Sequence, residues 1–259
     1  MTSFLPRRIM LNTPKTFEEK LTALHLFNTA ERYEVISKHA VRHNLSFEKF
    51  LEQLIDEEMG DKDKRAMERR LREAKFPEIT TLDQYDFSHP KKVDKKLILE
   101  LFDLNFIEKK EWVVFLGSSG LGKTHLAKAL GYAACNKGYR VLFTKTAHVV
   151  SALQAAQSDN SQEKSLKCFT RPDLLILDEA GFLPLDQGQA NLLFQVISDR
   201  YEYGRGSTII TTNLAFKDWG RIFHDSMLAQ AAVDRIGHRC QVVKIEGDSY
   251  RVKSLKKED

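Results

Sequence analysis

The run Gly117-Ser118-Ser119-Gly120-Leu121-Gly122-Lys123-Thr124 fits the pattern G-x-x-x-x-G-K-[ST] and constrains the fold more than any other stretch of the chain. Such a loop closes backbone N–H groups around phosphate oxygens. It works where a strand leads in and a helix leads out, so that the helix dipole and its free amides face the anion. Both flanks are present. Trp112-Val113-Val114-Phe115-Leu116 reads as a buried strand and His125-Leu126-Ala127-Lys128-Ala129-Leu130 as a helix. The expected nucleotide-binding set is therefore Gly117, Ser118, Ser119, Gly120, Leu121, Gly122, Lys123 and Thr124, with His125 next to it. Lys123 can reach the β- and γ-phosphates, and the Thr124 hydroxyl can sit on Mg²⁺.

Further apolar or β-branched runs follow at Val141–Thr144, Leu174–Leu177, Thr208–Thr212 and Val242–Ile245, with helical segments between them. This alternation predicts an α/β fold: a five-stranded parallel sheet covered on both faces. Ligands in such sheets bind beyond the carboxyl ends of the strands. Asp178 and Glu179 stand at that end of Leu174-Leu175-Ile176-Leu177. Asp178 is expected to hold Mg²⁺, directly or through water, and Glu179 to polarise a water for attack on the γ-phosphate. That glutamate favours a hydrolase over a small-molecule kinase, which must exclude water.

Ser207-Thr208-Ile209-Ile210-Thr211-Thr212 ends in Asn213. Its strand fits between the loop strand and the carboxylate strand. Asn213 can then meet the attacking water or the γ-phosphate, or it can be a turn residue. Arg235, in Val233-Asp234-Arg235-Ile236, can complete a neighbouring subunit's site as an arginine finger or form an internal salt bridge. Arg251 is a second candidate for contacting phosphate.

The first 75 residues are helical in pattern and form a small all-helical domain. Thr16-Phe17-Glu18-Glu19 is a capping box, with Leu21, Leu24 and Phe27 continuing an apolar side. Ser46 caps the next helix, where Phe47, Phe50, Leu51, Leu54 and Ile55 take the spacing of a buried face. Arg65, Arg69 and Arg72 form a basic stripe, either a solvated face or a set of DNA phosphate contacts. Phe76-Pro77 breaks that helix. Residues 76–90 read as a connector anchored by aromatics, 91–252 as the nucleotide-binding domain and 253–259 as a mobile tail.

A net charge of +4 allows nucleic-acid binding without requiring it. Cys135, Cys168 and Cys240 are far apart and read as isolated buried thiols. No apolar run is long enough to span a membrane. The N-terminus lacks an apolar leader segment, so the cytoplasm is the expected location.

Together these segments resemble the IstB family, ATPase helpers of insertion-sequence transposases and relatives of the DnaC helicase loader within the AAA+ superfamily. The likeness is carried by Val114 through Leu126, by Leu175-Ile176-Leu177-Asp178-Glu179 with Gly181-Phe182-Leu183-Pro184, and by Thr212-Asn213-Leu214. It extends to Trp219-Gly220-Arg221-Ile222-Phe223, Asp234-Arg235 and Gly247-Asp248-Ser249-Tyr250-Arg251, and to the helical front end through Phe87. The resemblance implies a sensor role for Asn213, an arginine finger at Arg235 and a second sensor arginine at Arg251. It also implies ATP and Mg²⁺ as cofactors, and an ATP-dependent homo-oligomer on duplex DNA that works with a cognate transposase. A helicase loader acting on single-stranded DNA is the alternative. The chain ends too soon after Arg235 for the separate helical lid of most AAA+ proteins, so a neighbour is expected to help cover the nucleotide.

Overall fold

A computed structural model describes residues 16–158, 161–182, 184–203, 206–223 and 225–250 of the chain. It divides into two compact units, residues 1–66 and 67–259.

In the first unit, α1 (Phe17–Ala23), α2 (Phe27–Arg42) and the start of α3 (Phe47–Ala74) are linked by short turns. The Thr16 hydroxyl accepts the Glu19 N–H at 3.1 Å, and the Glu19 carboxylate accepts the Thr16 N–H at 3.2 Å, so the capping box is complete. The expected apolar side does not run on from there. His25 takes a positive φ of 60°, α1 stops at Ala23, and Leu24 is left exposed while Phe27 opens a new helix.

Ser46 does cap α3, accepting the Lys49 N–H at 3.3 Å. The expected buried face of α3 is corrected. Leu54 is buried and Phe50 half-buried, whereas Phe47 is 94% exposed and Leu51 and Ile55 are also open. The reason is polar. α2 meets α3 where buried Glu58 accepts the Thr29 N–H at 2.8 Å and its hydroxyl at 3.1 Å, while Asn28 donates to the Glu57 carbonyl at 2.8 Å. Burial pushes the Glu58 carboxyl up, but those bonds and the charges of Lys62 and Arg65 outweigh it and hold it below its ordinary value.

The second unit continues through α4 (Lys95–Leu101), α5 (Asn105–Glu108), β1 (Trp112–Gly117), α6 (Lys123–Asn136), β2 (Val141–Lys145), α7 (Thr146–Ser158) and α8 (Gln162–Thr170). It ends with β3 (Leu174–Ala180), α9 (Gln187–Glu202), β4 (Ser207–Thr212), α10 (Gly220–Phe223), α11 (Ser226–Gly237) and β5 (Cys240–Ile245). The strands form one parallel sheet in the order β2-β3-β4-β1-β5, so β4 lies between the loop strand and the carboxylate strand as its sequence position suggested.

Alternate residues feed two cores. Val114, Leu175, Leu177 and Ile210 pack with Val149, Leu153, Leu193, Val196 and Ile236, from α7, α9 and α11. Val113, Phe115, Ile176 and Ile209 pack with Ile98, Leu101, Phe106, Leu126 and Leu130, from α4, α5 and α6. The sheet is thereby covered on both sides. Arg140 and Asp173, one residue before β2 and β3, pair at 3.0 Å, and the Arg140 N–H adds a bond of 2.8 Å to the same carboxylate. Of the three cysteines expected to be buried, Cys135 is, Cys240 is half-buried and Cys168 is exposed on α8. Burial raises the first two thiols to about 11 and about 12. No helix among the described residues is long and apolar enough to cross a membrane.

α3 ends at Ala74, with Lys75 at φ 58°, just before the Phe76-Pro77 pair. The chain then runs back along α6 in steps of about one helical turn. The Phe76 ring lies against Gly131, whose Cβ, if present, would be 2.8 Å from it. Glu78 pairs with buried Lys128 at 2.5 Å, and the Thr81 carbonyl meets His125 Nε2 at 3.0 Å. Tyr85 completes the run by reaching the phosphate loop, its hydroxyl donating to the Leu121 carbonyl at 3.2 Å.

Candidate nucleotide-binding site

The loop between β1 and α6 has the backbone its glycines allow. Gly120 and Gly122 have φ of 79° and 83°, where residues with a Cβ are strained. A Cβ on Gly117 would fall 2.3 Å from the Ile245 carbonyl oxygen of β5, so close approach of backbones requires glycine there too. Lys123 Nζ donates to the Ser118 carbonyl at 2.7 Å, folding its side chain over the loop.

Two segments frame this loop. Lys92 and Glu246 exchange backbone bonds of 3.1 and 2.9 Å, Lys91 pairs with Asp248 at 2.8 Å, and His89 Nε2 donates to the Asp248 carbonyl at 2.8 Å. The Tyr250 N–H then reaches the Gly120 carbonyl at 2.9 Å. Around the loop opens a cleft of about 570 Å³, lined by Lys123, Thr124, His125, Glu179, Thr211 and Asn213 and by the aromatic rings of Tyr85, His89, Phe182 and Tyr250. Burial raises the Tyr85 phenol to about 12, with Asp86 adding to the effect. Tyr85 therefore stays a neutral donor to the loop.

The carboxylates meet the loop at its helix end. Asp178 is 2% exposed, and its Oδ1 accepts the hydroxyls of Thr124 at 2.8 Å and Thr211 at 2.5 Å. Thr146, at the start of α7, donates to the Asp178 carbonyl at 3.1 Å. The β3–β4 register slips between Leu177 and Ala180, making a bulge at Asp178-Glu179. Glu179 there takes a positive φ of 59°, and its half-exposed carboxylate pairs with Lys145 at 2.9 Å. Asn213, one residue past β4, is exposed into the same cleft. The donor set fits a hard cation: a threonine hydroxyl and a carboxylate already share one hydrogen bond at the foot of a phosphate cradle.

Other candidate residues lie elsewhere. Arg235, on α11, pairs with Glu202 at 3.3 Å and stacks over Phe194 at 4.9 Å, and it does not line its own chain's cleft. Arg251 lies outside the described residues, as does Leu183. Arg65 pairs with Asp61 at 2.7 Å and sits over Phe27, while Arg69 and Arg72 are exposed on α3. The sequence reading missed Lys145, Thr211 and Tyr250 as parts of the site. For Lys145 and Thr211 the signal was positional, since each stands at or next to the carboxyl end of a strand. Tyr250 lies five residues past β5 and reaches the loop through its bond to Gly120.

A parallel sheet in this order, with the phosphate loop after β1 and adjacent carboxylates at the carboxyl end of β3, defines a P-loop domain of the AAA+ class. Solved structures share the fold. The DnaC helicase loader matches with a TM-score of 0.53 and 28% identity, over 64% of this chain and 97% of that one. AMPPCP-bound DnaA from Aquifex aeolicus gives 0.54 at 22% identity, over 71% of this chain and 55% of its own length. The chain belongs to the family described as IstB-like ATP binding proteins, whose profile matches residues 19–258. Among its relatives, a protein of insertion sequence IS5376 from Geobacillus stearothermophilus is 40% identical over 89% of this chain and 91% of the relative. One from IS21 of Pseudomonas aeruginosa is 38% identical over 93% and 90%. Both carry names that assign ATP binding provisionally.

Proposed function

We propose that this protein is a Mg²⁺-dependent ATPase of an insertion sequence that oligomerises on duplex DNA, recruits a transposase and uses ATP hydrolysis to release or remodel the assembly. The observation that carries the reading is Glu179, a half-exposed carboxylate set at the cleft beside Asp178, which itself bonds Thr124 of the phosphate loop. The loop amides and Lys123 bind the phosphates of ATP, and Thr124 and Asp178 would hold the metal. Mg²⁺, when bound, supplies charge neutralisation at the phosphates. Glu179 orients the attacking water and takes up its proton, and Asn213 faces the same space from the next strand. Arg235, which pairs with Glu202 within its own chain and does not line its own cleft, serves a neighbour's site in this reading, which makes turnover depend on assembly. DNA is held by phosphate contacts, with Arg65, Arg69 and Arg72 as candidates.

Glu179→Gln tests the core of this reading. It should bind ATP, stop turning it over and accumulate as an ATP-bound assembly on DNA. Turnover equal to that of the unaltered chain sinks the role of Glu179, and an unaltered chain with no turnover at all leaves ATP as an assembly switch. The likeness to the DnaC loader favours a second reading, a helicase loader acting on single-stranded DNA. Co-purification with a replicative helicase, and none with the transposase of the same element, would decide for it.

A further inference from the structure

The bulge that carries Asp178 and Glu179 is faced by a single residue of β4. Leu177 pairs with Ile210 and Ala180 with Thr212, so Thr211 stands opposite both acidic residues. Its buried hydroxyl donates to Asp178 Oδ1 at 2.5 Å and accepts the Glu179 N–H at 3.0 Å. A threonine hydroxyl has one proton to give and lone pairs to spare, so both bonds are made at once in one orientation. The first is a charge-assisted bond of the short, strong kind and falls on the same carboxylate oxygen that Thr124 reaches. The second ties down the backbone where Glu179 adopts φ 59°, a conformation that a residue with a Cβ seldom takes unless its surroundings impose it. Ile209 and Ile210 precede Thr211 in a buried strand, where valine would satisfy shape and strand preference equally well. The hydroxyl is therefore what the position adds.

We propose that Thr211 is a positioning residue for hydrolysis: one hydroxyl fixes the face that Asp178 turns to the metal site and the direction in which Glu179 leaves the strand. The proposal rests on the reading of this cleft as an ATPase site. Thr211 acts through its two acidic neighbours, so its loss should damage turnover and metal dependence while sparing the hold of the loop on phosphates.

The test compares Thr211→Val, which keeps the shape and removes the hydroxyl, with Thr211→Ser, which keeps the hydroxyl. Three quantities are measured on the full chain with duplex DNA: ATP turnover per nucleotide-binding site, the Mg²⁺ concentration giving half-maximal retention of a fluorescent ATP analogue, and affinity for that analogue in EDTA. Thr211→Val should lose turnover by about tenfold or more, as expected for removing a hydrogen bond to a charged group. It should need several-fold more Mg²⁺ and bind the analogue in EDTA like the unaltered chain. Thr211→Ser should stay within about twofold on all three counts, since the charged-group bond is kept. Should the valine variant not fold, Thr211→Cys, close in size and a weak donor, carries the same expectations. A valine variant with unaltered turnover per site and unaltered Mg²⁺ demand overturns the proposal, whatever its melting temperature. So does a serine variant as impaired as the valine one. If the unaltered chain proves to have no turnover, the ATPase reading fails by itself, and the Mg²⁺ dependence of analogue binding still decides the role of Thr211.

Discussion

Replacing Gly122 by alanine separates two demands that meet at one atom. The first is conformational: at φ 83° the left-handed backbone costs an alanine about 1–2 kcal/mol. The second is space. The new Cβ would fall 2.5 Å from Tyr85 Cε2. That ring is not free to swing away, because its hydroxyl is bonded to the Leu121 carbonyl and its edge packs on Phe87 at 4.9 Å between centroids. Overpacking of this kind costs about 1–3 kcal/mol. Gly122→Ala should therefore lose about 2–5 kcal/mol, and in a Tyr85→Ala background the overpacking share should vanish while the conformational share stays. Urea denaturation followed by tryptophan fluorescence reads this directly, since the two tryptophans, Trp112 and Trp219, are both buried in the second unit. The double-mutant cycle should show a coupling of about 1–3 kcal/mol, the whole overpacking term. Additivity within about 0.5 kcal/mol would refute the argument that Tyr85 braces the phosphate loop.

Arg235→Ala should abolish turnover and leave nucleotide binding by the dilute chain intact, and turnover of the unaltered protein should rise with its concentration. Activity independent of dilution would speak against a finger acting between subunits. Substituting Arg65, Arg69 and Arg72 together should weaken duplex binding and lower the slope of log affinity against log salt by roughly 0.9 for each phosphate no longer neutralised; an unchanged slope returns the stripe to a solvated face. Burial pushes the Asp173 carboxyl up, but bonds from the Arg140 side chain and backbone outweigh it and hold it below its ordinary value. A depressed carboxylate stabilises the fold fully above the unfolded pKa of about 4, and that contribution is lost as pH falls through the lower folded value. Acid denaturation of Asp173→Asn should therefore differ from that of the unaltered chain near neutrality and converge with it in strong acid; a gap that persists at low pH would contradict the pairing.

The catalytic-looking centre was legible because its chemistry is local. Gly117 to Thr124 encode a backbone shape in eight consecutive residues, and Asp178-Glu179 follow an apolar run that can be little but a central strand. The position of β4 was legible from its order in the chain, after the carboxylate strand, while Asn213 could still have been a turn residue. What failed to show was anything decided by a second segment's path. Phe47, Leu51 and Ile55 have the spacing of a buried face, but periodicity does not say which flank a partner helix will cover, and the Thr29–Glu58 bonds draw α2 to a later turn of α3. Tyr85 read as a generic aromatic anchor; its place on Gly122 depends on the whole course of residues 76–85. Thr211 stood near the right end of its strand but did not stand out, because a strand threonine is ordinary until a bulge opposite gives its hydroxyl two partners.

The course of the connector along α6 has a consequence for how this unit opens. Phe76, Glu78, Thr81 and Tyr85 engage Gly131, Lys128, His125 and the Gly122 turn in succession, so the first three turns of α6 cannot fray without peeling off a strip of chain that is itself pinned at both ends. Helix starts ordinarily exchange their amide protons early, through openings that cost little. Here the amides behind the phosphate loop should share their protection with the connector, and the two should exchange with deuterium as one cooperative block. A nucleotide arriving at the loop then finds its donors already drawn up, with the ordering cost met when the chain folded.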